Sequence, residues 1–344
     1  MPLNIYLKGK FMIKTTPLTE KKLEEFPHLL TAEQLQEWIQ NTIIPEFVTP
    51  QHQPSTHPKY VLLTGQPGAG KTYASKLYQE EHLGKLAVAF GADDIRLFHP
   101  LAAQILKTDR ANYSRKTKKD AGVARNALLD YCFEKGYDIM IDSILLNPND
   151  YNMPTLAQAK SHGFQVECVA LAVPNFLSEV SLYLRQEEQF KNGEVGFPVT
   201  LAEHVKSYQL LPDILAKMVT ESTVDRLEIC TRTGKVAYDS TVDPLSADVV
   251  KKKLHEGRRS HLTPGQLRGI LQSWNQVIQD MTARQATEDE INKALSLRRR
   301  FIYYCGVLEE GENRVAFQAQ RGEKIPEADM VKFKKRGWVL GRGS

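Results

Sequence analysis

Gly65, Gly68, Gly70, Lys71 and Thr72 stand in one short run, "YVLLTGQPGAGKTY" (Tyr60 to Tyr73), and their spacing completes the pattern G-x-x-x-x-G-K-[ST]. Glycines let a backbone curl around an anion where a Cβ would collide, and a helix that opens directly after them offers unpaired N–H groups and the positive end of its dipole. A lysine at that place can reach the β- and γ-phosphates of a nucleotide, and a hydroxyl beside it can ligate Mg²⁺. Residues Gly65, Gln66, Pro67, Gly68, Ala69, Gly70, Lys71 and Thr72 are therefore the candidate nucleotide-binding loop, with Thr72 a candidate metal ligand. The loop is expected to bind a nucleoside triphosphate.

A second set of reactive groups follows in "LAVAFGADDIRLFHP". Asp93 and Asp94 come just past an apolar run. In an open α/β sheet that is where ligands bind, and a carboxylate there can accept the proton of an attacking hydroxyl. Asp94 is expected to cap the following helix and Arg96 to contact phosphate or pair with an acid, while the His99-Pro100 pair suits a turn. Further on, Asp142 and Ser143 end the apolar run "IMI", which makes Asp142 a candidate Mg²⁺ carboxylate.

The elements that must position these groups are legible as alternating short apolar and longer helical runs. Strands are expected near 60–64, 86–90, 138–142, 165–173 and 226–231, and helices near 70–82, 119–135, 152–162, 176–191 and 200–220. This alternation predicts an α/β fold of the P-loop NTPase kind, a mainly parallel sheet flanked by helices. "TRTGKVAYDS" reads as a hairpin or strand extension after the last strand. Residues 18–47 carry helical spacing with a fresh start at Thr31, and Pro45, Pro50, Pro54 and Pro58 then mark an extended linker. From about 245 the pattern changes to helices rich in Lys, Arg and Gln, near 263–282 and 287–304. The expected organisation is a helical N-terminal extension (1–50), a Pro-rich linker (51–58), a P-loop domain (59–244) and a helical C-terminal extension (245–344).

The string "DDIRLFHP" fits D-x-x-R-x-x-H-P and, at this distance after a phosphate loop, resembles the zeta-toxin family of small-molecule kinases. "YDIMIDSILLNP", "SHGFQVECVALAV" and "SEVSLYLRQEEQ…FPVTLAEHVKSYQLLPDIL" are similar to further stretches of that family, so the resemblance spans roughly residues 55–240. It implies transfer of phosphate from ATP or GTP, with Mg²⁺, to a sugar hydroxyl of a nucleotide-linked acceptor. The first acceptor it implies is the 3′-hydroxyl of UDP-N-acetylglucosamine, and the second is NAD. Residue by residue, Lys71 and Thr72 take the phosphate and Mg²⁺ roles, Asp93 matches the general base and Arg185 matches a lid arginine. Arg96, His99, Asp142 and Ser143 fall on the acceptor side. The resemblance also implies an inhibitory antitoxin partner, a role that residues 18–47 could play in cis. Two positions depart from the family pattern. "GEVGFPVT" lacks the second lid arginine, for which Lys191 is the available substitute, and Ser143-Ile144 stands where the family carries a threonine. From another class, the chain could be a nucleotide-gated binding protein with a degenerate lid.

Composition narrows the setting. The 42% apolar and 25% charged residues are ordinary for a soluble protein, and no apolar run is long enough to span a membrane. The start, "MPLNIYLKGKF", lacks the apolar core of a cleavable signal peptide, so a cytoplasmic protein, or an effector exported without one, is expected. Cys132, Cys168, Cys230 and Cys305 are far apart and read as thiols. Residues 245–344 hold 19 Lys+Arg against 12 Asp+Glu, the rest 26 against 29. A basic C-terminal part can touch nucleic acid, but solvated charged helices are the commoner explanation. No guanine-reading N-K-x-D string is evident, which leans toward ATP.

Overall fold

The computed structural model describes residues 26–83, 86–148, 152–192, 201–243, 245–259 and 262–308. Helix α1 (Ala32–Trp38) starts at Thr31, whose hydroxyl accepts from the Gln34 N–H while the Gln34 side chain accepts from the Thr31 N–H, a reciprocal cap. A π turn (Ile39–Ile43) leads into α2 (Ile44–Phe47). The sheet domain then runs β1 (Lys59–Thr64), α3 (Lys71–His82), β2 (Val88–Gly91), α4 (Ala92–Leu97), α5 (Ala102–Thr108), a 3₁₀ turn (Arg110–Asn112), α6 (Tyr113–Lys116), α7 (Lys118–Lys135) and β3 (Ile139–Ser143). It continues with α8 (Asn152–Ser161), β4 (Gln165–Leu171), α9 (Asn175–Lys191), α10 (Leu201–Thr220), β5 (Arg226–Cys230) and β6 (Val236–Asp239), and α11 (Ala247–Arg258), α12 (Pro264–Ala283) and α13 (Glu288–Leu308) follow.

The strand order is β2-β3-β1-β4-β5-β6, parallel except for β6, which returns antiparallel beside β5 as the hairpin expected from "TRTGKVAYDS". Successive residues of a strand face opposite sides. Tyr60, Leu62, Ile139, Ile141, Val166 and Cys168 enter the larger core with α7, α8, α10 and α11. Val61, Leu63, Met140, Val169 and Leu171 enter the smaller one with α3. A strand buried on both faces has no polar alternation, which is why β1 reads as the unbroken apolar run "YVLL". Cys132, Cys168 and Cys230 are buried free thiols. No helix of the described residues is long and apolar enough to cross a membrane.

The five expected strands and the long helices are present, with ends shifted by a few residues. The helices α5 and α6 were not expected, and α4 only as the short element that Asp94 would cap, because four to seven residues are too few to display a helical period. Helix α11 was also missed. Its charged surface hides a two-residue apolar contact, Val250 and Leu254, that enters the sheet's larger core.

The described N-terminal segment packs on α7 and against β2, with Trp38, Ile39 and Ile43 in the larger core. Asp120 fastens it. Its carboxylate accepts from the Leu29 N–H (2.9 Å) and lies 2.6 Å from His28 Nδ1 and 3.2 Å from His99 Nε2, while Trp38 stands edge-on to the His99 ring. Burial pushes the Asp120 carboxyl up, but the hydrogen bonds from His28, Leu29 and His99 outweigh it and hold its pKa below the ordinary carboxylate range. A pKa lower in the folded than in the unfolded chain means stability that is complete above about pH 4 and lost as pH falls through the folded value. Asp120→Asn should therefore cost about 2–3 kcal/mol at neutral pH, and the deficit against the parent protein should shrink in acid. Urea unfolding midpoints at pH 7 and pH 3 measure both.

Candidate active site

The phosphate loop joins β1 to α3 at the C-terminal edge of the sheet. No side chain caps α3, whose N-cap is Gly70, so its first N–H groups remain for an anion. Two glycines are obligatory here. Gly68 has φ +76°, and a Cβ on it would stand 2.2 Å from the Ser178 carbonyl oxygen; Gly70 has φ +94° and lies against the Arg232 side chain. The loop is also tied from behind. Gln66, fully buried, donates through Nε2 to the Val173 carbonyl (2.7 Å) and to Ser178 Oγ (3.2 Å), and Ser178 Oγ lies 2.8 Å from His204 Nε2. Burial, aided by the charges of Arg300 and Arg258, lowers the His204 pKa to about 4, so this ring is neutral at pH 7. The loop therefore rests directly on the start of α9.

Lys71 and the acidic residues meet in front of the loop. Lys71 Nζ donates to the Gly65 carbonyl at 3.2 Å and stands 3.7 Å from Asp142 Oδ1, at the end of β3. Burial lowers the Lys71 pKa; Arg185 pushes the same way, while Asp142 and Asp93 oppose it. Burial likewise raises Asp142, helped by Asp94 and Asp93 and opposed by Lys71 and Arg185. Asp94 is raised by burial too, and its Oδ2 accepts from the Gly91 N–H at 2.7 Å, so it caps α4 as expected. Asp93 sits one residue earlier in that first turn, half exposed. Arg185 is exposed on α9, yet its charge is felt by Lys71, Asp94 and Asp142. Two cations and three carboxylates from β3, α3, α4 and α9 thus converge beside a loop built for phosphate.

The other predicted residues divide. Arg96 pairs with Asp93 Oδ1 at 2.5 Å, the acid-pairing alternative, and its carbonyl accepts from the Tyr113 hydroxyl. His99 is turned inward to Asp120. Ser143 is buried and accepts from Asn152 Nδ2 at 3.0 Å, while Asn152 Oδ1 accepts from Arg125 at 3.2 Å. Thr72 is exposed in the first turn of α3. Lys191 pairs with Asp280 of α12 at 2.8 Å, and "GEVGFPVT" lies outside the described residues. Between α5 and α7, Lys116 pairs with Asp109 and Arg115 lies over the Phe26 ring. One residue was missed. Arg232, in the turn after β5, lies against Gly70 and donates to Ser181 Oγ at 2.7 Å, and burial alone lowers its pKa. Its place just beyond a strand's C-terminal end was a usable signal. Its approach to the loop depends on β4 and β5 following β1 in the sheet, which no local pattern carries.

A family model described as zeta toxin matches residues 46–243. Toxin PezT of Streptococcus pneumoniae serotype 4 (strain ATCC BAA-334 / TIGR4) is 26% identical over 242 residues, which span 70% of this chain and 88% of that protein. Toxin zeta of Enterococcus hirae is 22% identical over 188 residues, or 54% of this chain and 65% of that one. A solved structure from the PezAT chromosomal toxin-antitoxin system of Streptococcus pneumoniae shares the fold, with a TM-score of 0.62 at 23% identity, covering 72% of this chain and 98% of that one. With over half its length matched by the family model, and with a complete phosphate loop at the end of its central strand, this chain belongs to the zeta toxin family of P-loop kinases.

Proposed function

We propose that this protein transfers the γ-phosphoryl group of ATP to a sugar hydroxyl of a nucleotide-linked acceptor, first of all the 3′-hydroxyl of the amino sugar in UDP-N-acetylglucosamine. The observation that carries this reading is the convergence of Lys71, Asp93, Asp142 and Arg185 in front of the phosphate loop. Phosphoryl transfer asks a protein mainly for position and for charge opposite the moving phosphate. Here the loop N–H groups and Lys71 would hold the β- and γ-phosphates. Asp93 has one carboxylate oxygen engaged by Arg96, which leaves the other for the acceptor hydroxyl. The hydroxyl oxygen attacks the γ-phosphorus, the bond from that phosphorus to the β–γ bridging oxygen breaks, ADP leaves, and the hydroxyl proton passes to Asp93. Arg185 would reach the equatorial oxygens as charge spreads over them.

Among the described residues no group of three or more His, Cys, Asp or Glu could hold a metal by itself. Thr72 and Asp142 nevertheless supply the hard oxygen donors that Mg²⁺ takes when phosphates and water complete its shell. When bound, Mg²⁺ neutralises charge on the β- and γ-phosphates. Kinship with a protein from a toxin-antitoxin system supports a separate antitoxin chain as the inhibitory partner. The described N-terminal helices pack at the β2 side of the sheet.

The test is mass spectrometry of the purified protein with ATP, Mg²⁺ and a mixture of UDP-N-acetylglucosamine, NAD and related nucleotides. One phosphate, about 80 Da, should appear on UDP-N-acetylglucosamine. A shift on NAD alone would replace the acceptor but keep the chemistry. No shift on any acceptor would sink the kinase reading and leave a nucleotide-gated binding protein.

A further inference from the structure

Helix α9 has two faces. At 3.6 residues per turn, Ser178, Ser181 and Arg185 lie on one side, while Phe176, Glu179, Val180, Tyr183, Leu184 and Glu187 lie on the other. The first side meets the phosphate loop and its neighbours. The second is covered by α12 and α13, which begin after residue 243, where the match to the family ends. Val180 is buried with Leu271, Trp274 and Phe301; Tyr183 packs on Trp274 (ring centroids 5.3 Å) and Phe176 on Phe301 (5.4 Å).

Two carboxylates are buried in that contact. Glu179, with its side chain 3% exposed, takes Arg300 of α13 at 2.5 Å on both oxygens. Glu187, 1% exposed, takes Arg284, which ends α12, at 2.7 and 3.0 Å in a two-pronged pair. The Arg284 guanidinium also covers the Phe190 ring, and Arg110 approaches the same ring. The two clamps stand eight residues apart on α9, about 12 Å along its axis, and Arg185 lies between them. A buried carboxylate deprived of its arginine is strongly destabilising where it sits, so α9 would shift to bring it to water.

We propose that the α12–α13 hairpin positions the lid arginine, and that Arg284 and Arg300 are positioning residues acting on transfer through Arg185. This rests on the kinase reading above. It gives the C-terminal arginines a role inside the molecule: Arg300 is committed to Glu179, and Arg298 donates to Asn275 of α12. Precision explains why the clamp would matter, since a misplacement of about 1 Å at a reacting group can cost on the order of 10²-fold in rate.

A double-mutant cycle tests it on the full chain. Arg284→Met should lower kcat about 10- to 100-fold, leave the Kd for ATP unchanged, and have no further effect in an Arg185→Ala background. Pairing Arg300→Met with Glu179→Met, which removes the stranded charge and keeps the volume, should leave kcat within a few-fold of the parent where Arg300→Met alone does not. Equal losses in both backgrounds, or no loss, would overturn the proposal. If the parent protein transfers no phosphate, hydrogen exchange still decides. Arg284→Met should speed exchange along α9 while β1, β3 and β4 stay protected; unchanged protection of α9 would overturn the clamp independently of the kinase reading.

Discussion

Asp93→Asn should lower phosphoryl transfer by about 10²- to 10⁴-fold while the protein still binds ATP. The substitution keeps size and shape in the first turn of α4, and it keeps an oxygen that can accept from Arg96. It removes the group proposed to take the acceptor proton. Asp94 is one residue away and cannot replace it, because its Oδ2 is committed to the Gly91 N–H that starts the helix. Asp142 cannot either, since it faces Lys71 across the loop. ATP binding measured by calorimetry alongside product formation separates the outcomes. Loss of both together would mean that Asp93 holds the fold of the site and not the proton.

Arg185→Ala should cost about 10³-fold in kcat, the scale associated with an arginine that meets the transferring phosphoryl group. The cause is electrostatic. Lys71 is lowered by burial and Asp142 raised by it, so the site's own charges are held under desolvation, where an added cation counts for more than in water. Arg185 is exposed, and its charge still reaches both. In the proposed reaction it would meet the anion that arrives over the loop. Because the second lid arginine of the resemblance has no counterpart in "GEVGFPVT", and Lys191 is paired with Asp280, more of the proposed transfer would fall on Arg185. A steady-state comparison should show kcat falling with little change in the KM for ATP. A mere two- or threefold loss would count against the lid role.

The parts of the site that could be read in advance share one property: their residues are contiguous. A phosphate loop is a single strand-to-helix turn, so its glycines, Lys71 and Thr72 carry their geometry in their order. Asp93, Asp94 and Arg96 likewise occupy one helical turn, and the capping place of Asp94 followed from cap chemistry alone. Helices α5 and α6 were not legible, because a few residues of helix show no period and are held by tertiary contacts such as Tyr113 on the Arg96 carbonyl. His99 could be read as part of a turn from its proline neighbour, and as an acceptor-side residue from the resemblance. That it shares one buried carboxylate with His28, 71 residues earlier, could not.

By itself, then, the amino-acid order determined the fold class, the anion-binding loop, the reach of Lys71 and the place of Asp93 just past a strand. All of these depend on interactions between near neighbours in the chain. Only the tertiary structure decided what distant segments do to each other. It set Asp142 against Lys71 and laid Arg232 on Gly70. It brought the charge of Arg185 within reach of Lys71 and Asp142, and it committed Arg284 and Arg300 to buried glutamates on the far side of the same helix. A helical period states that α9 has two faces. Which partner covers each face depends on sheet order and on packing, and these are properties of the whole folded chain.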